Sequence, residues 1–294
     1  MDSSVRADPT CHYYCICLQL RAGSRICKSA VTRGWSVTSL SRSGEPQWNT
    51  VTSSSTPPSW AQSVQWTKAD ILQPSTYRAQ LENADAVIHS MGILLEADYK
   101  SVLTGKESPI SGLRRAFSSV KLGTSNPLAK GVDSFKPEEK DGQLTYEVMN
   151  RDSAILLAKE ASAANVPNFV YISAAAGFAL LPSRYISTKR QAEDTIASEY
   201  PRMRSSFFRP GFLYDSSRSW TMPLAAVTHV VAAVNGMVGR RLDWLMGSGG
   251  EKPVKADMLA EAVVEAIGDE EVHGPIATAE IESLANKAWR RGML

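Results

Sequence analysis

Charge of one sign is what this 294-residue chain has least of: 32 Lys and Arg stand against 30 Asp and Glu, a formal net charge of +2. No basic stripe breaks that balance, which argues against nucleic acid as a partner. Cysteine is scarce too, with four residues in all. Cys11, Cys15 and Cys17 crowd the N-terminus beside His12, and Cys27 follows. Structural zinc needs a second pair of ligands further along and none is there, so these cysteines read as small apolar residues of a buried strand, and no metal is expected. Nor do they form a disulfide framework, which fits a reducing compartment. A secretory leader is missing, since the first residues lack its charged start, apolar core and cleavage site. Arg6, Arg21 and Arg25 among serines have something of a mitochondrial presequence, against which stand Asp2 and Asp8. Composition leaves the address open.

One long run lacks charge altogether, residues 219–239 with His229 counted as neutral. Pro223, His229, Asn235, Gly236 and Gly239 make it a poor membrane span. It reads as an apolar helix that packs on the sheet and roofs a hydrophobic pocket, with a membrane-surface contact as the alternative.

What is present is ordinary in bulk, 43% hydrophobic and 21% charged, on a chain long enough to bury a large core. Short apolar runs alternate with helical patterns, the mark of βαβ units. Strands are predicted at 13–17, 36–41, 64–66, 86–90, 169–173 and 205–208. Helices are predicted at 24–32 (closed by Gly34), 76–81, 146–165, 185–199 and 256–267, the last stopped by Gly268. Residues 43–63 read as a loop, and 101–143 as a long mobile excursion over the active-site face. The fold class is α/β, a doubly wound parallel sheet with a small C-terminal, substrate-side subregion.

The chemistry-bearing signal is Tyr185-Ile-Ser-Thr-Lys189 at a helix start. Spacing of four puts phenol and ammonium on one face, where Lys189 would lower the phenol's pKa from about 10 toward the range of a general acid or base. Ser173, ending the preceding strand, would bond a substrate carbonyl or hydroxyl, and Lys189 would reach the ribose of a nicotinamide nucleotide. Asp70 is either an acceptor for an adenine amino group or a helix cap. Ser41 and Arg42 end the second strand, where the adenosine ribose would lie, and Arg42 suits the 2′-phosphate of NADP, with NAD as the alternative. His89 reads as a core histidine. The phosphate turn is damaged: residues 17–23 read CLQLRAG, keeping only Gly23, the glycine of close helix–sheet packing.

From Gly23 onward the motifs GSRICKSAV (23–31), SLSRSG (39–44), ADIL (69–72) and VIHSMGILLE (87–96) run in order. TYEVMN (145–150), FVYISA (169–174), YISTKRQAE (185–193) and RPGFLYD (209–215) continue them. In these the chain resembles the fungal coenzyme Q biosynthesis proteins of the atypical short-chain dehydrogenase/reductase superfamily, relatives of the nucleotide-binding accessory subunit of respiratory complex I. The resemblance implies a Rossmann-type NAD(P)-binding fold and a mitochondrial protein on the matrix side of the inner membrane. It also implies association with the ubiquinone-synthesising assembly, a quinone-like or other apolar ligand, and peripheral inner-membrane contact. Ser173, Tyr185 and Lys189 match catalytic positions. Ser41, Arg42, Asp70 and Gly92 match cofactor contacts; with Gly23, Ile71, Tyr185 and Lys189 they make up the expected cofactor-binding set. The implied function is an NAD(P)H-dependent oxidoreductase-like protein of ubiquinone biosynthesis. The alternative is a non-catalytic, nucleotide-binding assembly or stability subunit of an inner-membrane complex. Residues 1–22 depart from the pattern and are expected to come from a mistaken gene model or alternative splicing. Residues 23–214 are the expected NAD(P)-binding core, and 215–294 an apolar, helical substrate-side region.

Overall fold

The computed structural model describes residues 14–18, 21–52, 54–92, 145–175, 183–215 and 252–293. The element order is β1 (Tyr14–Leu18), α1 (Arg21–Thr32), β2 (Ser36–Ser41), α2 (Trp48–Val51), β3 (Val64–Lys68) and β4 (Ala86–His89). A π-helical turn (Glu147–Asp152) then runs into α3 (Ser153–Ala163), followed by β5 (Asn168–Ile172), α4 (Ser183–Glu199), β6 (Arg204–Arg209) and β7 (Leu213–Tyr214). The last elements are β8 (Val254–Lys255), α5 (Ala256–Ile267), β9 (Gly274–Ala277) and α6 (Thr278–Arg291). Seven strands form one sheet in the order β3-β2-β1-β4-β5-β6-β9, and every pairing is parallel. This is the Rossmann-type α/β fold expected, and its strand order reverses between β1 and β4, where such sheets open a ligand crevice. Strands β7 and β8 make a second, two-stranded sheet.

The sheet is buried on both faces, as parallel sheets are. Val87, Phe169, Tyr171 and Phe207 pack with Ala154, Leu157 and Ile196 of α3 and α4. Their strand neighbours Ile88, Val170, Ile172 and Phe208 point the other way, against Ile26 and Ala30 of α1, Leu259 and Val263 of α5 and Ile281 of α6. Of the expected C-terminal region 215–294, the described part therefore adds a strand and two helices to the central layers.

Local chemistry sets the ends. Gly34, at φ +80°, stops α1; its N–H donates to Val31 O at 2.9 Å and that of Trp35 to Ala30 O at 3.1 Å, which satisfies the last carbonyls. Arg204 of β6 caps α5 from outside, donating to the carbonyls of Ile267 at 2.7 Å and Ala266 at 3.1 Å.

Two expectations change. The helix predicted at 76–81 is a pair of 3-10 turns, Pro74–Thr76 and Arg78–Leu81. Tyr77 breaks them at φ −139° and buries its ring, with its hydroxyl donating to Ile71 O at 3.2 Å. The predicted loop 43–63 holds α2 and a 3-10 turn, Ser59–Ser63, because Trp48 packs edge to face on both Trp60 and Trp66, centroids 5.6 Å apart, and Trp60 and Trp66 meet at a tilt at 6.4 Å. The runs 101–143 and 219–239, and the side chains of Cys15 and Cys17, lie outside the described residues. Among the described residues no helix is long and apolar enough to cross a membrane, and no cluster of three or more His, Cys, Asp or Glu is placed to hold a metal.

Candidate active site

Helix α4 positions the pair singled out from sequence. Lys189 Nζ lies 5.6 Å from the ring centroid of Tyr185, one turn before it, and 4.9 Å from that of Tyr171 on β5. The lysine is buried, at 3% exposure. It donates to Ile172 O at 3.0 Å and to the Tyr171 hydroxyl at 3.5 Å, and Tyr171 passes its own proton to Asn150 O in a short hydrogen bond. Asn150 belongs to the π turn, a geometry that locally diverts helix carbonyls from their usual partners. Gly92 follows β4 and completes the group: a Cβ there would meet Asn150 Oδ1 at 2.9 Å and Lys189 Nζ at 3.3 Å. Gly92, Asn150, Lys189 and Tyr185 thus converge beside the strand-order reversal.

The electrostatics differ from the expected lowering of the phenol. Burial pushes the Tyr185 pKa up, the Tyr146 phenol adds to this, and Arg190 only partly offsets it. Tyr146 stands edge to face with Tyr185, centroids 5.8 Å apart. Burial also pulls the Lys189 ammonium down to about 7, with Glu193 opposing and Arg190 reinforcing. The pair is adjacent, but dryness rather than mutual charge dominates both groups.

Ser173 is also buried, yet its Oγ accepts a hydrogen bond from Arg190 Nη1 at 3.0 Å. The remaining sequence-predicted residues lie toward the other half of the crevice. Ser41 Oγ donates to Gly44 O at 2.8 Å, and Arg42 is exposed. Asp70 does not cap a helix, since the next helical turn, Pro74–Thr76, has Gln73 before it; its Oδ1 accepts the Leu72 N–H at 3.0 Å in a local turn, while Ile71 is buried. Gly23 is buried within the first turn of α1. His89 is a core histidine: Ser153 Oγ donates to Met149 O at 2.8 Å, so His89 Nε2 is the donor in its 2.9 Å bond to that oxygen. Burial, reinforced by the nearby Lys189, lowers its pKa to about 3 and keeps the ring neutral.

A nicotinamide nucleotide fits this set at its ribose end. Without a Cβ, Gly92 lets Asn150 Oδ1 and Lys189 Nζ lie close against its backbone, and both are polar groups of the kind that bond ribose hydroxyls. The pyrophosphate end has a helix N-terminus, with α1 opening three residues after β1 ends, but without the early glycines.

The class is clear from the fold: an α/β protein of the Rossmann kind. No protein-family model matches the chain. It is similar in structure to UDP-glucuronic acid 4-epimerase from Bacillus cereus in complex with NAD, at TM-score 0.52 and 14% identity, covering 90% of this chain and 77% of that one. A putative epimerase from Burkholderia cenocepacia matches at TM-score 0.51 and 11% identity, covering 95% and 82%. At such identities the likeness establishes the fold alone. The chain belongs to the family of MIOREX complex component 2 of Saccharomyces cerevisiae, to which it is 41% identical over 211 residues, 67% of this chain and 70% of the relative. It is also 24% identical over 276 residues to an uncharacterized chloroplastic protein of Arabidopsis thaliana, covering 90% of this chain and 74% of that one.

Proposed function

We propose that this chain is an NAD(P)-binding, oxidoreductase-like protein of mitochondrial ubiquinone biosynthesis, acting on the matrix side of the inner membrane with residues 23–214 as its nucleotide-binding core. The observation that carries the reading is the convergence of Tyr185, Lys189, Asn150 and Gly92 beside the ends of β4 and β5. Lys189 and Asn150 would hold the ribose on the nicotinamide side, and Ser41, Arg42, Asp70 and Ile71 would line the adenosine end. Arg42 favours NADP over NAD, because a guanidinium matches a 2′-phosphate. When bound, the nucleotide supplies a hydride. Tyr185, kept protonated by its dry surroundings, holds the proton for a substrate oxygen, and Ser173 orients that oxygen. The mitochondrial address, the quinone-like ligand and the peripheral membrane contact rest on the sequence resemblance.

A second reading, a nucleotide-binding assembly subunit without turnover, is favoured by the yeast relative's name as a component of a complex. Titration of the purified chain with NADPH and NADH, followed by energy transfer from its tryptophans, tests the nucleotide site that both readings share. Saturable binding that favours NADPH is expected. Absence of binding by either nucleotide overturns the proposal.

A further inference from the structure

Tyr171 of β5 stands behind Lys189, and its hydroxyl is the polar end of a fully buried ring that packs with Val87, Phe169 and Phe207 in the core. That hydroxyl donates its proton to Asn150 O of the π turn and accepts from Lys189 Nζ at 3.5 Å. Burial, reinforced by the Tyr185 phenol and Glu193 and only partly offset by Arg190, pushes its pKa well up, so the proton stays on it. A hydroxyl whose proton is committed in one direction offers only a lone pair in another. Lys189 therefore meets two acceptors from one strand, that lone pair and Ile172 O at 3.0 Å. His89, its ring centre 5.4 Å from that of Tyr171, does not compete, because its Nε2 proton goes to Ser153. An ammonium carries three protons. Among the described residues two of them have acceptors, and one is left.

We propose that Tyr171 is the positioning residue of Lys189: held by the π turn, its hydroxyl fixes the ammonium so that the remaining N–H serves the nicotinamide-side ribose hydroxyls of a bound nucleotide. The proposal rests on reading the crevice as a nucleotide site, and it names the group that prepares that site. A lysine stem is flexible and its ammonium is a point charge with no preferred direction of its own. Two fixed acceptors remove that freedom before the ligand arrives, which lowers the cost of binding. They also compensate a cation in dry surroundings, where it would otherwise be driven to lose its proton. Phenylalanine at this position would fill the same space and supply neither bond. The π turn gains a purpose as well, since it delivers a main-chain carbonyl to a side chain of another element.

The test uses the full chain and calorimetric titration at pH 6, where Lys189 is mostly charged. Two probes are compared, NADP⁺ and 2′,5′-ADP, the second of which lacks the nicotinamide ribose. Tyr171→Phe is expected to weaken NADP⁺ binding by about tenfold, the scale of one lost charge-assisted bond, and to leave 2′,5′-ADP binding unchanged. Lys189→Met should weaken NADP⁺ binding at least as much. Adding Tyr171→Phe to it should cause no further loss, because a residue acting only through Lys189 then has nothing to act on. Should Tyr171→Phe fail to fold, replacement of Tyr171 by a ring-fluorinated tyrosine carries the test. That side chain keeps the shape but has a poorer acceptor oxygen, and it should weaken NADP⁺ binding by a smaller factor. Wild-type NADP⁺ affinity in these variants, equal losses for both probes, or a further loss in the double variant overturns the proposal. Failure of wild type to bind either probe overturns the nucleotide reading on which it stands.

Discussion

Gly92 and Asn150 are neighbours through an atom that glycine does not have: a Cβ at Gly92 would lie 2.9 Å from Asn150 Oδ1. That separation is below contact distance, and Lys189 Nζ is 3.3 Å away on the same side. Gly92→Ala should therefore push Asn150 and Lys189 out of place. The expected cost is about 1–3 kcal/mol, as for overpacking elsewhere, together with weaker nucleotide binding. Urea unfolding and NADPH titration of the variant check both; wild-type values in each would mean that the pocket yields without cost.

Lys189 makes stability depend on pH in a defined direction. Its pKa falls from 10.5 to about 7 in the fold. Between about pH 7 and 10 the unfolded chain holds the extra proton, so stability rises with pH across that window, and below it the cost of burying the charge is fully present. Lys189→Met should be more stable than wild type at pH 6, and the difference should shrink toward pH 10. Denaturant midpoints at both pH values decide it; a difference independent of pH contradicts the assignment.

Tyr185 separates an enzyme from an assembly subunit. Tyr185→Phe keeps the ring that packs against Tyr146 and Lys189 and removes only the proton it would donate. Nucleotide binding should persist. Turnover should fall by roughly 10²–10⁴-fold, the contribution of a positioned general acid, and ubiquinone should decline in cells that depend on the variant. Unchanged ubiquinone in such cells would favour the assembly reading.

Glu265 tests the far side of the sheet. This fully buried carboxylate of α5 meets Arg33 after α1 at 2.5 Å and Arg291 of α6 at 2.9 Å, with Lys287 at 3.8 Å. Glu265→Gln takes the shared carboxylate from Arg33 and Arg291, the latter half exposed, and should destabilise the fold by about 1 kcal/mol. Thermal unfolding measures this, with nucleotide affinity of the folded variant expected to stay at the wild-type value.

Much of this arrangement is legible in the sequence. The bounds predicted for β2 and α5 match the structure, although β2 is buried continuously over 37–40 rather than alternating, and α5, which ends at Gly268, is buried over most of its surface. Gly34 announces its cap in the same way. Strand β9, sequence GPIA, carries no periodic signal, and its conformation comes from its parallel pairing with β6. Asn150 escapes a local reading because a π turn looks like any helix until its carbonyls find outside partners. Arg190 escapes because two of its partners, Ala174 and Ser173, are 16 and 17 residues away, just past β5. Spacing brought Tyr185 and Lys189 together, but it carries no information on how dry their pocket is, and that dryness sets both pKa values.

The position of β1 has a consequence for biosynthesis. Tyr14–Leu18 lies inside the sheet, paired to β2 on one edge and β4 on the other. β1 is therefore among the innermost strands, and the edge it gives to β4 stays open until the chain through β4 has been made. β9 reaches only the outer edge of the sheet, after its neighbours are in place. A splice or start-site change that rewrites residues 14–18 therefore disturbs two strand pairings at once, whereas a change in β9 disturbs a single one.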